Sequence, residues 1–207
     1  IEPMDELEFA GAAEGTVVVA EQQGTGRGRL ERSFFSPYGK GIWVSIILRP
    51  AFLPQHAPKC TLLAAVAVAR AMERFGLRAE IKWPNDILHD GRKLVGILTE
   101  MSAEVDRVNY VVIGIGINVN IAMEDFPEEL RSIATSLMQM KGEPLPRVTF
   151  LQELLRSLDA LYADVIREGF ASVFHAWRSY AVTLGQSVHV IGIGGDLDRI
   201  VRQQAYM

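Results

Sequence analysis

Cysteine is nearly absent: Cys60 is the single one in 207 residues. That excludes an intramolecular disulfide and a cysteine-built zinc cluster, and it fits a reducing, cytoplasmic compartment. On its apolar, helix-like run, Cys60 reads as a small buried side chain. Histidine is almost as scarce. His56, His89, His175 and His189 lie far apart along the chain, without the spacing of a metal motif, so no metal site is expected. No Ser/His/Asp or Cys/His arrangement stands out either. An apolar run of the ~18 residues that a membrane span needs is missing, and so is the pattern of a signal peptide. Excess positive charge is missing too. The formal net charge is −4 and the sequence pI about 5.6, whereas a protein that coats nucleic acid is basic. Two glycine-rich phosphate signatures fail as well. "GIGIN" (114–118) and "GIGGDL" (192–197) lack the third glycine of GxGxxG, and Gly39-Lys40-Gly41 lacks the spacing and hydroxyl of a P-loop.

What is present is globular: 49% hydrophobic and 22% charged residues, enough for one sizeable core and a small second unit. "GTVVVAE" (15–21) and "GIWVSIILR" (41–49) read as buried strands. "APKCTLLAAVAVARAMERFG" (57–76) reads as a helix, with Pro58 near its start and Gly76 as its stop. "RAEIKW" (78–83) is a strand closed by Pro84, and "ILHDGRKLVGILTEM" (87–101) a hairpin turning at Asp90-Gly91. "NYVVIGIGINVNI" (109–121) is a long strand. Amphipathic helices follow at 148–169 and 170–181, then two short strands. Hairpins followed by segregated helices imply an α+β fold. The expected domains are 1–182 and a β-module at 183–207. The chain begins at Ile1 and stops within what reads as a strand, so a fragment is expected.

The segment "GTGRGRLERSFFSPYGKG" (24–41) crowds glycines and arginines between two strands. Glycine lets the backbone approach a ligand and arginine supplies planar donors for phosphate or carboxylate. It is either a loop that folds over an anion or a solvated surface loop. In "KWPNDILHDGRKLVGIL" (82–98), alternation from Lys93 puts Lys93, Val95, Ile97 and Thr99 on one face. Lys93 either guards an edge strand or points into a polar site. Asn85 and Asp86 are turn formers or site residues. Along 112–120, Val112, Gly114, Gly116, Asn118 and Asn120 share a face. Two successive glycines and a carboxamide there mark either a groove for a ligand or a β-bulge.

"EGTVVVAEQQGTGRGRLER", "SPYGKGIWVSIILRP", "KWPNDILHDGRKLVGIL" and "VVIGIGINVN", in this order, resemble the biotin protein ligases. The resemblance covers residues 14–121 well and the next two helices more loosely. It implies a mixed, largely antiparallel sheet with helices on one side, and an incomplete SH3-like β-module at the C-terminus. It also implies a two-step, AMP-forming reaction: biotin and ATP–Mg²⁺ give biotinyl-5′-AMP, and a lysine of a biotin carrier domain then takes the biotinyl group. By the family pattern, Gly26, Arg27, Gly28 and Arg29 cover biotin and the adenylate, with Arg29 the principal anchor. Gln23 matches a biotin-site glutamine. Lys93 matches the lysine that contacts the biotin carboxylate and then the phosphate. Gly116 belongs to the biotin bed. Arg32, Asn85 and Asn118 fall on the nucleotide side, and Asp86 near the attacking lysine. Phe34 stands where the family often has tryptophan, and the upstream Ser-Thr-Asn-type motif is not seen. The family often pairs sheets edge to edge, so a homodimer is possible. No winged helix precedes the catalytic part, so nucleic acid is not expected as a partner, nor is a membrane. The competing readings are a lipoate or octanoate ligase-type acyltransferase of the same superfold and a non-catalytic biotin-binding regulatory module.

Overall fold

The computed structural model describes residues 11–24, 26, 34–190 and 197–200, and for residues 188–190 and 197–200 the backbone alone. Six strands form one sheet: β1 (Val17–Ala20), β2 (Gly41–Leu48), β3 (Glu80–Lys82), β4 (Asp86–His89), β5 (Arg92–Ala103) and β6 (Val108–Asn118), in the order β1-β2-β6-β5-β4-β3. Every pairing within it is antiparallel. Parallel contact is limited to isolated bridges at Ile81–Ala181 and Lys93–Ala134. The sheet is therefore purely antiparallel rather than mixed.

Period-2 patterning sorts this sheet into two unlike faces. Val95 and Ile97 of β5, Ile113, Ile115 and Ile117 of β6, and Ile42, Val44 and Ile46 of β2 pack into the main core. Against them lies α1 (Cys60–Arg74), buried along nearly its whole length from Cys60 to Met72. A helix made of alanine, valine and leucine cannot stand in water on any side, because each buried Val or Leu contributes ~1.5–3 kcal/mol. Its outer side is covered by α3 (Arg147–Glu168) and α4 (Ala171–Tyr180). The helix starts later than the 57 that its composition suggests, since Pro54–Lys59 forms a 3-10 turn that leads into it. None of these helices is long and apolar enough to cross a membrane.

The Asp90-Gly91 turn has φ 49° and 74°, the left-handed pair that a type I′ hairpin needs. Beyond β6, which ends at Asn118 rather than 121, the chain makes two 3-10 turns and the short α2 (Leu137–Lys141). Ser136 caps α2 by accepting the Gln139 N–H. At the C-terminal end β7 (Ser187–Val190) and β8 (Leu197–Ile200) pair as a separate two-stranded sheet. Residues 191–196 and 201–207 of the expected β-module lie outside the described residues.

Candidate active site

The site lies on the sheet face turned away from α1. There β2, β6 and β5 run side by side, with Trp43 opposite Gly116 and Gly116 opposite Gly96. The two glycines leave a shallow bed. The Phe34 ring lies on it: a Cβ at Gly116 would stand 2.9 Å from Phe34 Cε1, and one at Gly96 2.8 Å from Cε2. Phe34 also meets Trp43 edge-on at 5.8 Å between ring centroids. Of the face read along 112–120, Gly116 lies under this ring, and the second glycine of the bed is Gly96 rather than Gly114.

Lys93 corrects the sequence reading. Strand alternation placed it with Val95, Ile97 and Thr99, yet its side chain shares the bed with Gly96, whose Cβ would lie 3.2 Å from Lys93 Cε. The cause is a bulge. Leu88 pairs with Lys93 but Ile87 with Val95, so β5 carries one extra residue and the side-chain phase shifts across Leu94. Leu94 and Val95 are both fully buried as a result. The bulge aims Lys93 Nζ at Asp86 Oδ1, 2.8 Å away, and over the Phe34 ring at 5.7 Å from its centroid.

Asp86 is held by its neighbour. Asn85 donates its side-chain N–H to the Ile97 carbonyl at 3.0 Å, and the Ile97 N–H donates to the Asn85 carbonyl at 3.0 Å. This clasp begins β4 beside β5, so Asn85 positions Asp86. Its nucleotide role stays a proposal. The Trp83–Pro84 peptide before it is cis. Trp83 is half exposed and lines, with Pro84, Leu62, Leu98 and Phe174, a cavity of about 290 Å³; it is a wall residue rather than core.

Asn118, at the end of the glycine face, is buried and pairs with Gly41. Its side-chain N–H donates to the Thr135 carbonyl at 3.0 Å. The same segment grips Lys93: the Lys93 N–H donates to Ile133 O at 2.7 Å, and the Thr135 N–H to Lys93 O at 2.9 Å. Residues 133–135 therefore strap Lys93 and Asn118 together, which sequence reasoning missed. A signal was available, since "SLMQ" (136–139) is a Ser-x-x-Gln helix start that fixes where this strap ends. Gly96, an isolated glycine inside an apolar run, was a second missed signal.

At the other end Gly26 is buried, its carbonyl accepting from the Phe34 N–H at 2.9 Å. A side chain there would collide with Phe34 O and Gln23 Oε1, at 2.7 and 2.8 Å. Ser36 donates its hydroxyl toward Gln23 Oε1 at 3.3 Å, while Gln23 Nε2 is buried without a partner among the described residues. Arg27, Gly28, Arg29 and Arg32 lie outside the described residues. Lys40, just before β2, pairs with Asp125; that bond and the Ala122 N–H hold the Asp125 carboxyl below the usual carboxylate range. At the hairpin end of β4, His89 comes together with Glu80 and Asp90, their donor atoms within 4.8 Å of one another. Spacing along the chain does not reveal that grouping.

The chain as a whole, rather than any single residue, can be compared with known proteins. The model of the Biotin/lipoate A/B protein ligase family matches residues 3–118. The bifunctional ligase/repressor BirA of Bacillus spizizenii is 49% identical over 191 residues, which are 92% of this chain and 59% of that protein. The chain thus spans about three fifths of the length of such relatives. The biotin–[acetyl-CoA-carboxylase] ligase of Mycobacterium tuberculosis is 32% identical over 198 residues, 89% of this chain and 71% of that one. Among solved structures, biotin protein ligase from Aquifex aeolicus in complex with biotin and ATP matches with a TM-score of 0.80 at 28% identity, covering 94% of this chain and 80% of that one.

Proposed function

The chain belongs to the biotin/lipoate A/B protein ligase family, and from that premise we propose that it activates biotin with ATP and transfers it to a lysine of a carboxylase's biotin carrier domain. The observation that carries this reading is the Lys93–Asp86 pair standing at the edge of a bed made of Gly96 and Gly116. A flat, fused-ring acid needs a bed without side chains and a cation at its carboxylate end. The Phe34 ring packed against both glycines supports a bed shaped for a flat group.

In the first step a biotin carboxylate oxygen attacks the α-phosphorus of ATP. The new P–O bond forms as the bond to pyrophosphate breaks, giving biotinyl-5′-AMP. Two anions must be brought together, so catalysis rests on positioning and charge neutralisation. Lys93 supplies the cation from the bed, Gln23 Nε2 a buried donor, and Arg27, Arg29 and Arg32 the remaining charge. In the second step the carrier amine attacks the acyl carbon, the C–O bond to phosphate breaks, and AMP leaves. An unperturbed lysine has a pKa of ~10.4. Asp86, released as Lys93 turns to the phosphate, positions that amine and takes its proton. Among the described site residues Asp86 is the one carboxylate beside the bed and it is already paired, which is no cage for magnesium. Magnesium is accordingly written as part of the MgATP substrate. We assign residues 183–207, with the β7–β8 pair, to an SH3-like module that follows the catalytic part at 1–182.

Incubation with biotin, MgATP and a biotin carrier domain tests the proposal. Pyrophosphate release and biotin on the carrier lysine are expected. Turnover of lipoate or octanoate without biotin would replace it with the acyltransferase reading. Biotin binding without pyrophosphate release would replace it with a regulatory module.

A further inference from the structure

Glu80, His89 and Asp90 offer three ligand atoms within 4.8 Å of one another. The backbone brings them there. Glu80 opens β3, and the antiparallel pairing of β3 with β4 sets Glu80 opposite Leu88, the neighbour of His89. Asp90 follows at once in the hairpin turn, with a φ of 49°. His89 Nε2 lies 3.6 Å from Asp90 Oδ2. Glu80 and His89 are half-buried and Asp90 is exposed, so the group is within reach of a solvated ion.

Two carboxylates beside one imidazole leave charge uncompensated. Among the described residues neither Glu80 nor Asp90 forms an ion pair with a lysine or arginine, although Arg92 stands opposite His89 in the ladder. A divalent cation cancels both negative charges at once. The nitrogen decides which cation: magnesium and calcium take shells of oxygen, whereas imidazole with carboxylates suits zinc. Ligand atoms ~2.0–2.2 Å from zinc stand roughly 3.3 Å apart in a tetrahedron. The His89–Asp90 pair is near that spacing already, and Glu80 closes on it by turning about its side-chain bonds. We propose that Glu80, His89 and Asp90 bind one zinc ion, with water as the fourth ligand. The ion ties β3 to the hairpin whose two strands carry Asp86 and Lys93, and so braces that pair from outside the bed. No step of the proposed reaction runs through it.

The test is titration of the whole chain with zinc chloride in buffer without nucleotide. One equivalent should bind, raise the Tm and stay bound in excess magnesium. Glu80→Gln and His89→Ala should each weaken zinc binding by about 10-fold or more and lose the gain in Tm. E80Q is nearly isosteric, so its loss reads the ligand rather than the fold. His175→Ala, on α4, should change neither quantity. Cobalt in place of zinc should give a visible absorption band that H89A abolishes. Absence of saturable zinc binding, binding that E80Q and H89A leave unchanged, or displacement of zinc by excess magnesium would overturn the site.

Discussion

An ammonium group held 2.8 Å from a carboxylate is a poor host for a second anion until the first contact loosens. Lys93 and Asp86 are in that position. Binding of the substrate carboxylate and the α-phosphate competes for Lys93, and each gain on that side frees Asp86. The two residues then separate by step: Lys93 serves activation and Asp86 serves transfer. Asp86→Asn is nearly isosteric and leaves the Asn85–Ile97 clasp in place. It should keep pyrophosphate release within a few-fold of the wild type. Transfer from preformed biotinyl-5′-AMP to the carrier should fall about 100-fold, the lower end of what general base catalysis supplies. Single-turnover transfer with isolated adenylate reads this directly, and an unchanged rate would remove Asp86 from the second step.

At the scale of the elements, the bed exists because two neighbouring strands each place a glycine at the same level. Gly116→Ala would put a methyl 2.9 Å from Phe34 Cε1 and 3.2 Å from Cζ, so the ring must give way. Overpacking of this kind costs ~1–3 kcal/mol, and 1 kcal/mol moves Tm by ~2–4 °C in a chain of this size. Thermal melts of G116A should show that loss, and in a Phe34→Ala background the loss should vanish. If G116A is equally costly without the ring, Phe34 is not what rests there. The glycine pattern of β6 was legible because the register with β2 is unbroken from Val111 to Asn118, so alternation holds along it. Lys93 was misplaced for the opposite reason: a bulge is invisible to alternation, and the extra residue at Leu94 turns every later side chain over. The hairpin turn at Asp90-Gly91 declared itself through its residue types. The 133–135 strap did not, because it binds through backbone groups that any sequence carries.

For the molecule as a whole, three groups of the helix layer are held in their protonated forms. Cys60 at the start of α1 is fully buried, and burial pushes its thiol up from an ordinary 9.0 to about 12. On α4, burial and then the hydrogen bond to Glu73 raise the Tyr180 hydroxyl from 10.0 to about 12. On α3, burial and the hydrogen bond to Glu14 raise Tyr162 further. In all three the folded state favours the protonated form, so their contribution is complete below the unfolded values of ~8.5–10. It is lost as pH climbs through that range toward the folded values. Stability should therefore decline steadily between about pH 9 and 12, with the helix layer as the source. Cys60→Ala removes one of these groups from the core at the start of α1. Its Tm at neutral pH drops by a fixed amount for the lost packing, whereas its slope of Tm against pH between 9 and 12 should be shallower than that of the wild type. Parallel slopes would show that the thiol stays out of the alkaline transition. Native protein at pH 8 should leave Cys60 unmodified by a thiol reagent, with labelling only as fast as unfolding exposes α1.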